Sequence, residues 1–396
     1  MKIYIAGIGM DGGKTLTAEA RKAIEAADIL IGAKRMTEPF EKLGKTVFVS
    51  WKADEIAACI KNGSFGTAAV LMSGDCGFFS GAEKLKERLD GYDIEIIAGI
   101  SSPVYLCAKL GLSWQDMKFV SLHGTEGNIA RNVRRHGKCF FLLGGDITPA
   151  GICGRLCEYG MDSVTVHIGA RLSYTDEQII SGTAGELVNV QCDPLCAVIT
   201  ENPESEKLVR RGIPDGEFIR GNVPMTKAEI RAVSMSKLCV CESDTVWDVG
   251  CGTGSVSVEC ALAANDGTVY AIDEKDTAAG LTAQNAVRFG CDNIRVIHGQ
   301  APEALSDLPR PDKVFIGGAG GNIGGILDMA LADNNRPSIV ITAVSLETLN
   351  EAVISLKEHG LAVNVTQISA VRTRKAGSHT MPDPLNPVFI IEGTVR

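Results

Sequence analysis

No run of the chain approaches the roughly 18 uninterrupted apolar residues that a membrane-spanning helix needs. The opening residues MKIYIAGIGMDGG read as a strand entering a glycine turn rather than as a signal peptide. Thirteen cysteines are present, an odd number, and none forms a C-x-x-C pair. The sequence therefore favours neither a disulfide framework nor a zinc ribbon, and reduced thiols in a cytoplasmic protein are the expectation. Basic excess is lacking too. Net charge is −9; residues 1–206 carry 21 Lys+Arg against 26 Asp+Glu, and residues 207–396 carry 18 against 22. Neither half has the cationic surplus expected of a partner for duplex nucleic acid or for a membrane surface. Aromatic residues make up only 5%, whereas glycine occurs 44 times, so α/β architecture with many tight turns is favoured. A small-molecule enzyme of two or three domains fits 396 residues, at about 150 residues per domain.

Apolar strand-like runs fall in two series. IYIAGIG, AAVLMSG, DIEIIAG, CFFLLGG, SVTVHIG and LCAVIT precede a polar stretch at residues 201–227; TVWDVG, TVYAID, NIRVIHG, KVFIGG, SIVITAV, LAVNVTQI and PVFIIEG follow it. Most are spaced widely enough for intervening helices. The polar stretch holds Pro203, Pro214 and Pro224 among charges and reads as a linker, dividing the chain at 1–205 and 206–396.

In TVWDVGCGTGSVSVECALA a strand ends near Asp248 and Gly250, Gly252 and Gly254 lead into a helix. Glycines there let the backbone turn sharply and approach a ligand beside a helix N-terminus. The spacing is G-x-G-x-G, not the G-x-G-x-x-G of dinucleotide sites. Asp273 closes the next strand, where a carboxylate can accept both hydrogen bonds of a ribose diol. DVGCGTG followed by YAID resembles the Rossmann-like methyltransferases that bind S-adenosylmethionine. VPMTKAEIRA, HGQAPEAL, FIGGAGG and ITAVSLET narrow the resemblance to the decarboxylating precorrin methyltransferases that act at carbon 15. That resemblance implies cofactor contacts at Thr226, at Gly250, Cys251, Gly252, Thr253 and Gly254, at Asp273 and at Ala301. Gln300 stands where the family often has an acidic residue.

The first half carries Gly7, Gly9, Gly12 and Gly13 after its opening strand, then Ser73, Gly74 and Asp75 in LMSGDCGFFSGA, Ser101 and Ser102 in AGISSPVYLC, and His123 in VSLHG. Together with IGARLSYTDEQIISGTAGEL these resemble the tetrapyrrole methylases, an unrelated fold with two lobes. The resemblance implies a cofactor cleft at Gly7, Gly9, Ser73, Gly74, Asp75, Ser101 and Ser102. For Asp75 a turn-stabilising role is equally compatible with the sequence. His123 reads as a structural or substrate-contacting histidine. Met10 and Cys76 replace prolines usual in the family, which predicts looser turns.

The expected fold class is thus α/β: a two-lobed tetrapyrrole methylase fold, then a Rossmann-like seven-stranded methyltransferase fold. The pairing resembles the precorrin-6Y C(5,15)-methyltransferase (decarboxylating) family and its cobalt-containing counterpart. It implies methylation at meso carbon 5 by residues 1–205, methylation at carbon 15 with acetate decarboxylation by residues 206–396, one S-adenosylmethionine per domain and a homo-oligomeric assembly. Alternatives are a methyltransferase for another tetrapyrrole or small molecule, and a cofactor-binding scaffold with one inactive domain. Such chemistry needs no metal and no covalent nucleophile, and no G-x-S-x-G or zinc spacing is present. Catalytic residues are not identified by the sequence. A polycarboxylate substrate calls for cations: Arg372, Arg374 and Lys375 with His379 in VRTRKAGSHT read as a substrate-contacting basic loop. Arg131, Arg134 and Arg135, at helical spacing, read rather as a solvated face. The pairs Cys153/Cys157, Cys192/Cys196 and Cys239/Cys241 read as buried thiols.

Overall fold

A computed structural model describes residues 1–123, 127–206 and 210–394. Gly124 of the VSLHG motif and residues 207–209 of the expected linker lie outside the described residues. The chain forms two compact units: Met1–Glu126, Gly137–Gly154 and Asp162–Pro203 make the first; Gly127–His136, Arg155–Met161 and Glu204–Arg396 make the second.

The first unit is built on two five-stranded sheets. Strands β1 (Lys2–Gly7), β2 (Ile29–Gly32), β3 (Thr46–Val49), β4 (Thr67–Met72) and β5 (Asp93–Ile97) form an all-parallel sheet in the order β3-β2-β4-β1-β5. The near-continuous apolar runs of β1 and β4 belong to strands covered on both faces, with Ile3, Ile5, Ala68, Ala69 and Val70 fully buried. β6 (Lys118–Ser121), β7 (Lys138–Leu142), β8 (Thr165–Ala170), β9 (Gln178–Thr183) and β10 (Cys196–Glu201) form a mixed sheet ordered β6-β7-β10-β8-β9. Phe140 and Phe141 of β7 are fully buried, each stabilising the core by about 1.5–3 kcal/mol.

The second unit centres on seven strands: β11 (Thr245–Val249), β12 (Thr268–Asp273), β13 (Ile294–His298), β14 (Lys313–Ile316), β15 (Ser338–Ala343), β16 (Ala362–Ile368) and, after the antiparallel hairpin β17 (Val371–Ala376) and β18 (His379–Pro384), β19 (Val388–Thr394). Their order is β13-β12-β11-β14-β15-β19-β16, with β19 antiparallel to both its neighbours. β11 is the first of these strands in the chain, and the sheet grows from it in both directions. The carboxyl ends of β11, β12 and β14 therefore border a topological switch point, where open α/β sheets bind ligands.

Three features of this unit depart from what the sequence leads one to expect. VRTRKAGSHT is a strand pair, not a loop: Arg372 lies opposite Asp383 and Ala376 opposite His379, with Gly377 at the turn. The segment read as linker is part of the core from Gly212 onward, since Ile213, Phe218 and Met225 are buried among its apolar residues. The arginines read as a solvated face are likewise drawn into this unit, Arg131 completely and Arg134 and Arg135 by half. Arg131 is fully buried, donating to Asn265 and Glu206, and the N–H groups of Ala130 and Arg131 donate to Asp292 at 2.7 and 2.9 Å. Asp292 thereby caps the helix Ile129–Arg135, whose first amides have no partner within the helix. Arg134 donates to the Tyr159 carbonyl and Arg135 to that of Glu206.

The thirteen cysteines are all free. They do not share one environment, however: Cys153 is buried, Cys157, Cys192 and Cys196 are half-buried, and Cys239 and Cys241 are exposed, against the expectation of burial for all three pairs. No helix among the described residues is long and apolar enough to cross a membrane.

Candidate functional site

In the second unit β11 runs into the loop Gly250–Gly254 and the helix Ser255–Ala263. Gly250, Gly252 and Gly254 all have positive φ, of 74°, 60° and 73°. Space as well as backbone conformation demands glycine here. A Cβ on Gly252 would lie 2.8 Å from the Pro224 carbonyl oxygen, and one on Gly250 would strike the Gly318 backbone. The loop is fastened from beneath: the N–H groups of Gly250 and Cys251 donate to Ile272 O, Thr282 donates to Gly252 O, and Asn285 donates to Thr253 O. Asn285 also exchanges hydrogen bonds with Ile219 in the segment leading to Thr226. One amide thus ties that segment to the glycine loop.

Asp273 sits at the end of β12, half-buried, beside this loop. Its Oδ2 accepts the Gly252 N–H at 2.9 Å and its Oδ1 the Lys275 N–H at 3.0 Å. A carboxylate oxygen has two acceptor sites, so each keeps one for a diol. Asp248 is completely buried behind the loop. Loss of solvation pushes its carboxyl up to about 7, against a smaller opposing effect of the Ser257 hydroxyl that donates to it. Its Oδ1 is buried and accepts no hydrogen bond among the described residues. Ala301 and Gln300 follow β13 and are half-buried and exposed, respectively, at the same edge of the sheet. An open glycine cradle, a carboxylate with free acceptor sites and a buried acceptor behind them fit a nucleoside bearing a cationic amino-acid end.

Thr226 is positioned by groups the sequence did not single out. Its carbonyl accepts from Arg231 at 2.7 Å. Arg231, fully buried, also pairs with Glu259 at 2.6 Å and Asp215 at 3.5 Å and donates to Ile213 O. Glu259 in turn accepts the N–H groups of Gly212 and Ile213. Arg372 closes the cluster, donating to Glu229 at 2.6 and 2.8 Å and to Asp215 at 2.8 Å. Two carboxylates therefore face Arg372, one of the two guanidinium groups expected to meet substrate. Arg374 meets Asp383 at 3.4 Å, while Lys375 and His379 stay exposed on the hairpin.

In the first unit the carboxyl ends of β1 and β4 and the turn after β5 converge. Gly9 and Gly74 exchange backbone hydrogen bonds at 3.1 and 2.7 Å, and a Cβ on Gly7 would overlap Gly74 O and Gly99. Asp75 accepts the Gly77 and Gly99 N–H groups, both at 2.8 Å, so each of its oxygens braces a turn. Ser101 precedes the helix Ser102–Leu110 without capping it through its side chain. The turns expected to be loose are instead pinned. Met10 is buried, its N–H donates to Thr15, and its carbonyl accepts from Arg35 and Tyr174; the Cys76 thiol is buried against the carbonyls of Ile5 and Ile97. His123 is exposed, its ring lying over Gly144, where a Cβ would overlap it. Arg35 and Tyr174, distant in sequence, were not foreseen; only the fold brings them to the glycine turn.

Family models match both halves: "Tetrapyrrole (Corrin/Porphyrin) Methylases" over residues 2–188 and "Precorrin methyltransferase domain" over residues 217–394. The chain is 46% identical over 183 residues to a probable cobalt-precorrin-6B C(15)-methyltransferase (decarboxylating) of Pyrobaculum calidifontis, covering 46% of this chain and 94% of that protein. It is 28% identical over 395 residues to a precorrin-6Y C(5,15)-methyltransferase [decarboxylating] of Sinorhizobium, covering 98% of this chain and 94% of that protein. Among solved structures, a precorrin-6y C5,15-methyltransferase from Geobacter metallireducens is 36% identical, with a TM-score of 0.45, covering 48% of this chain and 100% of that one.

Proposed function

The chain belongs to the decarboxylating precorrin methyltransferases, and from that premise we propose that it methylates a precorrin at meso carbons 5 and 15 and decarboxylates a ring acetate, in cobalamin biosynthesis. Residues 1–205 carry the carbon-5 step and residues 206–396 the other two. The observation that supports this best is the presence of two unrelated glycine-lined clefts in one chain: Gly7, Gly9 and Gly74 meeting in one unit, Gly250–Gly254 beside Asp273 in the other.

S-adenosylmethionine, when bound, supplies an electrophilic methyl on a sulfonium whose departure as a neutral thioether needs no proton. Orientation can then supply much of the rate. In the second unit the Gly250–Gly254 backbone holds the cofactor, Asp273 accepts its ribose hydroxyls, and Thr226 and Ala301 contribute at the rim. Asp248, buried behind the loop, keeps the loop floor polar. In the first unit Gly7, Gly9, Ser73, Gly74, Ser101 and Ser102 border the cleft, and Asp75 acts by bracing its turns. For the decarboxylation, the C–C electron pair of the acetate enters the conjugated macrocycle as carbon dioxide leaves. Arg374 and Lys375, exposed on the β17–β18 hairpin, offer cations to a polycarboxylate, with the exposed His379 beside them. In the first unit His123 is exposed for the same role.

Incubating the full chain with methyl-labelled cofactor and precorrin, metal-free or cobalt-loaded, tests the reading. Two labelled methyl groups per ring and release of carbon dioxide are expected from one of the two substrates. Transfer to a different tetrapyrrole, with none to either precorrin, refutes it.

A further inference from the structure

Arg35 is a half-buried cation whose hydrogen bonds go entirely to neutral groups. Its Nη1 donates to Met10 O at 3.3 Å and to the Tyr174 hydroxyl at 3.2 Å, and its Nη2 donates to Ser73 Oγ at 3.3 Å. No ion pair engages it among the described residues, whereas Arg88 and Arg171 of the same unit each meet a carboxylate, at 2.9 and 2.6 Å. The three acceptors are not scattered. Met10 follows Gly9, Ser73 precedes Gly74, and Gly9 and Gly74 are hydrogen-bonded to one another, so the guanidinium spans the two glycine turns of the cleft. The chain also holds an unfavourable backbone to bring the third acceptor there. Arg171 and Ser173 both have positive φ, 49° and 68°, just before Tyr174, whose hydroxyl donates to Met10 O at 2.9 Å. Non-glycine residues in that region are strained and cluster at ligand sites. A partly desolvated guanidinium without a counter-charge, fixed at a cleft, is suited to bidentate capture of a planar anion.

We propose that Arg35 is a carboxylate receptor of the first unit, taking an anionic group of a ligand held against the Gly9 and Gly74 turns. The proposal rests on the reading of that unit as a tetrapyrrole methyltransferase. Two ligands offer the chemistry: the ring, through a peripheral carboxylate, and the cofactor, through its amino-acid end.

The full chain carrying Arg35→Gln or Arg35→Met, the latter keeping the apolar stem, separates them. Carbon-5 methylation of the precorrin is followed by product mass, and binding of S-adenosylhomocysteine by calorimetry. A charge-assisted bidentate contact corresponds to a change on the order of ten- to a hundredfold. A rise of that size in KM for the ring, with kcat nearly unchanged, assigns the carboxylate to the substrate; a similar loss of S-adenosylhomocysteine affinity in one of two sites assigns it to the cofactor. Tyr174→Phe removes a brace of Arg35 while leaving its charge, and is expected to change either quantity by less than about threefold. Carbon-15 methylation stays at the wild-type level throughout. Neutral variants that match wild type in both measurements overturn the proposal, and so does a Tyr174→Phe variant that reproduces their full loss. A wild-type chain that methylates no precorrin at carbon 5 refutes instead the reading of the unit, a result distinct from an active wild type with silent Arg35 variants.

Discussion

At the scale of single residues, Asp273 receives the Gly252 N–H and retains open acceptor sites, which on the proposed reading take the ribose of the cofactor. Asp273→Ala removes both, and cofactor affinity of the second unit is expected to fall by about 1.5–3 kcal/mol, roughly ten- to a hundredfold. Asp273→Asn keeps a carbonyl acceptor for the loop but loses the charge, so its loss is smaller. Calorimetry on the full chain measures this; unchanged binding in both variants removes Asp273 from the site. Asp248 makes a different prediction. Burial raises its carboxyl from 3.8 to about 7, so the folded chain holds the proton where the unfolded chain has released it. Folding thus binds a proton, and the associated stability is complete below about pH 4 and is lost as pH rises through about 7. The loss is at most about 4 kcal/mol, since each tenfold difference in proton affinity between the folded and unfolded chains is worth about 1.36 kcal/mol. Asp248→Asn, which cannot ionise, should lack this component. Denaturant unfolding of the second unit at pH 5 and pH 8 compares them, and equal pH dependence in both proteins would falsify the assignment.

At the scale of elements, the strands buried on both faces were readable because their apolar runs are nearly continuous: β1, β4, β11 and β12 each coincide with one, although Asp248 interrupts β11. Elements that owe their form to partners were not. β2 is only Ile29–Gly32, β3 is largely exposed at a sheet edge, and β17–β18 is a polar strand pair specified by cross-strand hydrogen bonds rather than by a buried face. The glycine loops were legible because a tight turn writes itself into neighbouring residues. Arg231 was not, because Glu259, Asp215 and Ile213 reach it from elsewhere in the chain. That cluster carries the element-scale prediction. Arg231→Met would leave the fully buried Glu259 without its cation, a cost of about 3–5 kcal/mol when a buried pair loses one partner, while Asp215 would keep Arg372 at 2.8 Å. Because the same guanidinium holds Thr226 O and Ile213 O, the segment 212–226 should loosen first. Hydrogen exchange would register this as lost protection at Gly212 and Ile213, whose amides donate to Glu259, accompanied by weaker cofactor binding in this unit alone. Retained protection there, with a lowered unfolding midpoint, would mean that the cluster stabilises the core without positioning the site.

At the scale of the whole molecule, the two glycine clefts belong to sheets of different topology, one all-parallel with five strands and one mixed with seven, so neither is a copy of the other. On the proposed reading each cleft holds its own cofactor, so calorimetry should find about two S-adenosylhomocysteine molecules per chain, one for each glycine cleft. The loops also let the two chemistries be separated by mutation. A branched side chain at Gly252 must displace the Pro224 carbonyl and adopt a φ of 60°, closing the second cleft without touching the first. Gly252→Val should therefore reduce the stoichiometry to one and leave a ring methylated once, at carbon 5, with its acetate intact. Replacing Gly74 and Asp75 acts in the opposite sense. Gly74 has a φ of 69° and Asp75 braces the turns at Gly77 and Gly99, so their loss opens the first cleft while carbon-15 methylation and decarboxylation continue. Mass spectrometry separates the products, because a methyl group adds about 14 Da and loss of carbon dioxide removes about 44 Da, shifts set by covalent composition alone. If the Gly74/Asp75 variant also loses the carbon-15 product, the ring must be methylated at carbon 5 before the second unit accepts it; supplying a ring already methylated there should then restore the reaction. A folded Gly252→Val chain that binds no cofactor in its second unit, yet still yields the decarboxylated and doubly methylated ring, would show that residues 206–396 do not carry those steps.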